Sequence, residues 1–148
     1  MNHQANLYQQ MILDHNRKPK NFGKLPCCSH KSEGFNPLCG DHLWVYLKVN
    51  DEKIIEDITF EGSGCAISKA SASLMTTTLK GKPLAEADKL FLEFQKLLKG
   101  DKDHNQETLG KLTIFSGIWQ YSSRIKCAAL AWHAMSSALK SKPSVSTE

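Results

Sequence analysis

The character of the chain changes over residues 60–68, whose sequence is Phe60-Glu61-Gly62-Ser63-Gly64-Cys65-Ala66-Ile67-Ser68. A strand-like run ends here, two glycines permit a tight turn, and a helical pattern begins after Cys65. A thiol at a helix N-terminus lies near unpaired backbone N–H groups and the positive end of the helix dipole, which favour its thiolate. The stretch therefore predicts a strand–turn–helix unit whose Cys65 is a candidate reactive or metal-binding residue.

Length and composition predict one globular domain. The chain has 148 residues, of which 41% are hydrophobic and 23% charged, ordinary values for a soluble protein with a buried core. We expect a single domain over 1–148 with a frayed polar tail over 141–148. The first residues lack the layout of a signal peptide, and no apolar run reaches the roughly 18 residues that a membrane span requires. A cytoplasmic location and no membrane partner are therefore expected.

The net charge of +4 comes from 19 basic and 15 acidic residues that are spread along the chain. One modest basic cluster lies at 17–20, and neither a basic helix face nor a zinc-finger spacing is present. Nucleic acid is therefore not an expected partner. A slightly basic surface suits an acidic protein partner better.

Hydrophobic periodicity predicts an α+β layout. Asp41 to Asn50 alternates apolar and polar residues, which indicates a half-buried strand, and Ile54 to Glu61 continues as its antiparallel hairpin partner. The Ile54-Ile55 pair predicts a bulge or a frayed start. Residues 26–29 are interpreted as a loop and 35–40 as an extended or turning segment. Helical patterns cover Leu7 to about Asn16, Ala66 to Gly81, Pro83 to Gly100, a short stretch around Leu109 to Phe115, and a last helix from about Ser122 or Ser123.

Three of the five cysteines lie where a site could form. In a reducing compartment, cysteines are more often metal ligands, reactive thiols or core residues than disulfides, and an odd count disfavours full pairing. Cys39 precedes a strand, Cys65 opens a helix, and Cys127 lies within about the first turn of the last helix. Asp41 is two residues beyond Cys39, so both side chains point to the same side of an extended segment.

Three thiolates and one carboxylate suit a tetrahedral zinc site or an iron–sulfur centre. Their negative charge requires compensation, which helix N-termini at Cys65 and Cys127 can supply together with Arg124 and Lys126. Because free cysteine is among the most buried residue types, any of the three is also compatible with a plain core position.

The remaining candidates are weaker. Vicinal Cys27-Cys28 suits neither a normal metal site nor an easy disulfide, so it is interpreted as loop. A cysteine–histidine nucleophilic enzyme has no histidine placed to act as base, since His42 should face the opposite side of its strand and His133 another side of its helix. The other histidines are expected at the surface: His3, His15, His30 and His104.

Several motifs in the same order resemble the U-type iron–sulfur cluster assembly proteins, the NifU-like and IscU superfamily. They span about Leu7 to Leu139 and comprise Leu7-Tyr8, Asp14-His15, Pro19-Lys20-Asn21, 36–41, 60–68, 70–73, 124–128 and Ala131-Trp132. The chain is most similar to the SufU branch, because Lys126 stands before the third cysteine where IscU proteins have histidine. The chaperone-recognition motif of IscU proteins is also missing, its place being taken by residues 120–124. The stretch from Cys27 to Gly34 departs from the family, because it is short where relatives are expected to have a longer first strand.

The resemblance implies a SufE/NifU-like α+β fold, in which several helices pack a three-stranded antiparallel sheet with a metal site at one end. It implies zinc ligands at Cys39, Asp41, Cys65 and Cys127, with Cys39 accepting persulfide sulfur from a SufS-like, pyridoxal-phosphate-dependent cysteine desulfurase. Such a protein transfers sulfur and is not a conventional small-molecule enzyme.

Two alternatives remain open. In the first, the chain is a scaffold on which Cys39, Cys65 and Cys127 hold a transient 2Fe–2S cluster, which then passes to downstream assembly or apo-proteins. In the second, it is a zinc-stapled protein-binding module without sulfur chemistry.

Overall fold

The predicted antiparallel hairpin is present. The computed structural model describes residues 3–147. Its strands are β1 (His30–Asn36), β2 (Asp41–Val49), β3 (Ile55–Ser63) and β4 (Ser144–Ser146). Its helices are α1 (His3–Arg17), α2 (Ala66–Leu79), α3 (Leu84–Leu98), α4 (Gln106–Leu109) and α5 (Ser122–Leu139), with two 3₁₀ turns at Gly110–Phe115 and Ile118–Gln120 between α4 and α5.

The strands form one sheet in the order β3-β2-β1-β4. The α+β class is confirmed, but the prediction of three strands is wrong by one. The first three strands are antiparallel neighbours, whereas β4 runs parallel to β1. The fourth strand comes from the segment 141–148, which we expected to be frayed. After α5 the chain turns at Ser141, where φ is +58°, and Val145 packs against the core. One apolar residue in a polar tail is too little alternation to indicate a strand.

Strand β1, over 30–36, was not predicted from the residue pattern, which indicated only a loop over 26–29 and an extended or turning segment over 35–40. Its composition explains the error, because a run containing His, Lys, Ser, Glu and Gly has little intrinsic strand preference. Pairing with β2 from His30↔Leu47 to Asn36↔Asp41 imposes the extended backbone. The side chains on the inner face of β1 are small because α5 packs closely on it. A Cβ at Gly34 would approach Leu130 to 3.0 Å.

The alternation in β2 is confirmed. Leu43, Val45 and Leu47 are fully buried and face the helices, while the intervening side chains lie on the outer face of the sheet. The register shifts where Val49 pairs with Ile55, so the irregularity predicted at the start of β3 is present.

Helices α2 and α5 cover the inner face and bring the two helix-borne cysteines together. The Ser71 hydroxyl on α2 donates to the Ala128 carbonyl of α5 at 2.5 Å, and the Trp132 indole N–H donates to the Ser71 oxygen at 3.2 Å. Trp132 is fully buried among α3 residues, with its ring 5.0 Å from that of Phe94. This buried link fixes α2 against α5 one residue beyond Cys127.

Candidate metal centre

The four predicted site residues come from four different elements. Cys39 lies in the turn between β1 and β2, and Asp41 is the first residue of β2. Cys65 is the N-cap of α2, which confirms its predicted position at a helix start. Cys127 is the sixth residue of α5, so it lies in the second turn and not at the N-terminus. The predicted contribution of the α5 N-terminus to this cysteine is therefore wrong, because its backbone N–H is within the helix.

The glycines of the stretch 60–68 allow this assembly by close approach. A Cβ on Gly62, whose φ is +128°, would collide with the backbone of His42 and Leu43. A Cβ on Gly64 would collide with the Ser68 hydroxyl and approach Asp41 Oδ1 to 2.9 Å. The two glycines therefore make room for β2 and for the Asp41 carboxylate beneath the start of α2.

Asp41 is held by backbone and amide donors. Its carboxylate is fully buried, and Oδ1 accepts the Cys65 backbone N–H at 2.8 Å. The Asn36 amide donates to Oδ2 at 3.3 Å. Within residues 3–147 no lysine or arginine forms an ion pair with this carboxylate. Because a buried charge without a counter-charge is costly, a cation at this place would be stabilised.

Two sulfurs and the carboxylate converge. Cys127 Sγ lies 3.1 Å from Cys39 Sγ, and single ligand atoms of Cys39, Asp41 and Cys127 all lie within 4.8 Å of one another. Cys65 is outside this group. Its Sγ accepts the Ser68 N–H at 3.4 Å and lies 4.0 Å from Asp41 Oδ2. Cys65 therefore caps α2, while its thiol also hydrogen-bonds with Cys127 and so brings a third sulfur to the edge of the group.

The thiols differ in acidity. The hydrogen bond with the Cys127 thiol, helped by the Ser68 N–H, lowers the pKa of Cys65 to about 6, against the opposing effect of burial. The same hydrogen bond raises the pKa of Cys127, and burial raises it further. Cys65 is thus the thiolate and Cys127 the proton donor of this pair. The prediction that Cys65 is the electrostatically favoured thiolate agrees with these directions.

Arg124 supplies positive charge, as the sequence suggested. Its hydrogen bond with Cys127, followed by the charges of Cys65 and Cys127, raises the pKa of Arg124. The guanidinium therefore acts as a permanent cation beside the sulfurs.

The donor set fits zinc or a soft iron centre. Thiolates together with one carboxylate are ligands that such ions accept, and bound sulfur must be deprotonated. The buried, cation-free Asp41 carboxylate and the 3.1 Å sulfur–sulfur contact both indicate a place for a shared positive ion. The residues present are therefore suited to hold a metal.

The other candidates lie elsewhere. His42 is on the outer face of the sheet, where Nε2 contacts Glu33 Oε2 at 2.7 Å and the ring stacks on Trp44. Cys27 is exposed and precedes Ser29, which bonds to the Leu47 carbonyl near the far end of β2. That end is about 20 Å from Asp41 at the rise of an extended strand.

Asn36 was not assigned a role from the sequence, although it belongs to the motif 36–41. Its Nδ2 donates to Asp41 Oδ2 and, at 3.4 Å, to Cys127 Sγ. Its role follows from its position in the sheet, as the last residue of β1, where it is paired directly with Asp41. Recognising it required the location of β1, which the residue pattern did not give.

The fold and the site together define a small α+β domain with a thiolate-rich centre at one end of its sheet. The chain belongs to the family of NifU-like N-terminal domains, whose model matches residues 7–128. This confirms the resemblance seen in the motifs.

Two relatives illustrate the match. The chain is 40% identical to the zinc-dependent sulfurtransferase SufU of Bacillus subtilis over 129 residues, which cover 87% of this chain and 86% of that protein. It is 37% identical to the iron–sulfur cluster assembly scaffold protein IscU of Streptococcus pyogenes over 134 residues, covering 90% and 83%.

A solved structure supports the fold. The chain is similar to FiSufU of Fervidobacterium islandicum AW-1, described as an iron–sulfur cluster assembly scaffold protein for the SUF system, with a TM-score of 0.84 and 32% identity. The match covers 91% of this chain and 98% of that one. Separately, no helix in the described part of the chain is long and apolar enough to cross a membrane.

Proposed function

We propose that this protein is a zinc-dependent sulfur acceptor in iron–sulfur cluster assembly, with Cys39 receiving persulfide sulfur from a pyridoxal-phosphate-dependent cysteine desulfurase. The donor set described above supports zinc at Cys39, Asp41, Cys65 and Cys127. A relative named zinc-dependent sulfurtransferase supports the chemistry. Bound zinc supplies one thing: it keeps the coordinating thiols deprotonated at neutral pH.

The observation that carries the proposal is the position of Cys39. It is half-buried in the turn that joins β1 to β2, whereas Cys127 is fully buried in a helix and Cys65 caps one. The Gly40 N–H donates to the Asn36 carbonyl at 2.9 Å and closes this turn. A thiol on such a turn moves with less disturbance of packing than one on a helix. Cys39 is therefore the sulfur that reaches a partner.

The transfer step is an exchange between a thiolate and a persulfide. The Cys39 thiolate attacks the terminal sulfur of the desulfurase persulfide, and a new sulfur–sulfur bond forms on Cys39. The bond between that terminal sulfur and the desulfurase cysteine breaks, and this cysteine leaves as a thiolate. One sulfur–sulfur bond replaces another, so no external oxidant or reductant is required.

The surroundings of Cys39 suit a protein partner. Leu38, next to Cys39, is 69% exposed. Exposed apolar and aromatic side chains beside a reactive group are typical of docking surfaces. Arg124 adds a positive charge at the same end, which favours an acidic partner surface.

The test compares metal content and desulfurase activation in the wild type and in Cys39→Ala. We expect about one zinc per wild-type chain and stimulated desulfurase turnover, and loss of that stimulation in Cys39→Ala although the protein stays folded. Cys27→Ala is the matched control, since Cys27 is exposed but far from the site. If stimulation persists in Cys39→Ala while only its stability falls, the protein is a zinc-stapled binding module.

A second candidate function is a cluster scaffold, which the name of the Streptococcus pyogenes relative favours. Three thiols at one end of the fold are enough protein ligands to hold a cluster together with Asp41. Anaerobic reconstitution with iron, cysteine and desulfurase separates the two functions. A stable chromophore that transfers to an apo-protein supports the scaffold, and persulfide on Cys39 without a stable chromophore supports the sulfur acceptor.

A further inference from the structure

The side chain of Asn36 links two of the proposed ligands that come from different layers of the fold. Its Nδ2 donates to Asp41 Oδ2 at 3.3 Å and to Cys127 Sγ at 3.4 Å. Asp41 is on the sheet and Cys127 is on α5, and these two side chains also hydrogen-bond with each other. One primary amide thus bridges the sheet-borne and the helix-borne donors.

The main chain of Asn36 also fixes the third donor. Its carbonyl accepts the Gly40 N–H at 2.9 Å, which closes the turn containing Cys39. Asn36 pairs directly with Asp41 in the sheet, so backbone and side chain act from one rigid position. A displacement of this residue would move Cys39, Asp41 and Cys127 together.

The orientation of the amide is costly unless it serves the site. Asn36 is 1% exposed, and its Oδ1 is buried with no hydrogen-bond partner among the described residues. A buried carbonyl without a donor is destabilising. Turning the amide over would place that oxygen against the Asp41 carboxylate, which can only accept, so this neighbour keeps the N–H side towards the site. An apolar side chain would fill the same space without the unpaired oxygen.

We propose that Asn36 is a positioning residue for the metal centre, and that its amide N–H groups orient Asp41 and Cys127 and stabilise their negative charge when zinc is bound. The inference rests on the proposed zinc site at these residues. Hydrogen-bond partners of metal ligands hold the ligands in geometry and tune their donor strength. The N–H to sulfur bond lowers the energy of the sulfur lone pairs, which offsets part of the charge that three thiolates and a carboxylate bring to one ion.

The test uses Asn36→Leu, which keeps the branched outline of the side chain and removes both hydrogen bonds donated by the amide. Zinc affinity is measured by competition with a chromophoric chelator, and the protein is also loaded with Co²⁺ to record the sulfur-to-metal charge-transfer band. We expect the zinc dissociation constant to rise about 10- to 100-fold, the range found when such partners are removed. The charge-transfer band should move to longer wavelength, because the sulfur electrons lose a stabilising hydrogen bond.

The matched control is Ser32→Ala. Ser32 lies on the same strand and face, is 2% exposed, and its Oγ also lacks a partner among the described residues. It should leave both readouts at the wild-type values. If Asn36→Leu does not fold, Asn36→Ser removes the reach of the amide without adding bulk, and the same two changes are expected of it.

Three outcomes would overturn the inference. They are zinc affinity within about twofold of wild type, weaker zinc binding with an unmoved Co²⁺ band, and equal effects of Ser32→Ala. The second is what a general loosening of the fold would give. A wild-type protein that binds no zinc would instead contradict the proposed function itself.

Discussion

Cys39 Sγ lies 3.1 Å from Cys127 Sγ, although the two residues are 88 positions apart in the chain. One sulfur is on a hairpin turn and the other is fully buried in the second turn of α5. They are free thiols. The third thiol of the site, Cys65, accepts a hydrogen bond from the Ser68 N–H in the first turn of α2. The site therefore consists of a convergent pair of sulfurs beside Asp41 and a third sulfur that caps α2 and hydrogen-bonds with Cys127.

This pair predicts the product of oxidation. Metal-free protein treated with a mild disulfide oxidant should form an intramolecular Cys39–Cys127 disulfide, because the two sulfurs already lie in contact. Zinc-loaded protein should resist, since its thiolates are coordinated. Peptide mapping without reduction identifies the linkage. A dominant linkage through the exposed Cys27 would show that the sulfurs do not meet in solution.

A side chain at position 64 should disturb the site by steric overlap. Gly64→Ala places a methyl group against the Ser68 hydroxyl and 2.9 Å from Asp41 Oδ1. We expect a loss of about 1–3 kcal/mol in the free energy of unfolding, as for other overpacked positions, together with weaker zinc binding. Urea unfolding and zinc competition measure the two effects.

The control for Gly64→Ala is Gly117→Ala. At Gly117 φ is −92°, and the nearest atom to an added Cβ is 3.9 Å away. This variant should be close to wild type in both assays. Equal behaviour of the two alanine variants would contradict the close approach of Asp41 beneath α2.

His15 predicts a loss of stability at acid pH. The Lys20 N–H donates to Ser73 Oγ, which leaves the Ser73 hydroxyl proton for His15 Nδ1 at 2.8 Å. Burial first, and then the charges of Lys20 and Lys111, lower the pKa of His15 below the ordinary 6.5. The stability from neutral His15 is therefore fully present above pH 6.5 and is lost as the pH falls through the lowered folded-state pKa.

The measurement is the free energy of unfolding of His15→Asn and wild type at about pH 7.5 and about pH 5.5, on either side of the ordinary histidine pKa. The decrease on acidification should be smaller in His15→Asn. The same substitution at exposed His3, at the other end of α1, measures the removal of a histidine without burial. If acidification lowers the free energy of unfolding of His15→Asn as much as that of the wild type, buried His15 is not the source of the loss.

The sequence was informative where side chains determine structure. Strict alternation located β2, the strand–turn–helix stretch located Cys65, and the two-residue spacing of Cys39 and Asp41 placed both at the site. These features depend on residue type and local periodicity, which can be read along the chain.

It was uninformative where tertiary contacts impose structure. Strand β1 has small and polar residues on its inner face because α5 packs against it, and β4 has a single apolar residue, Val145. The role of Asn36 and the hydrogen bond between Cys65 and Cys127 depend on contacts between distant segments. Such contacts leave no periodic pattern.

The most direct test of the central claim is mass spectrometry of zinc-loaded protein after incubation with a cysteine desulfurase and cysteine. We predict the added mass of one sulfur atom on the peptide containing Cys39, and none on the peptide containing the more exposed Cys27. Desulfurase that turns over cysteine while leaving Cys39 without added sulfur would contradict the account. Sulfur found equally on Cys27 would contradict it too, because exposure alone would then determine the acceptor.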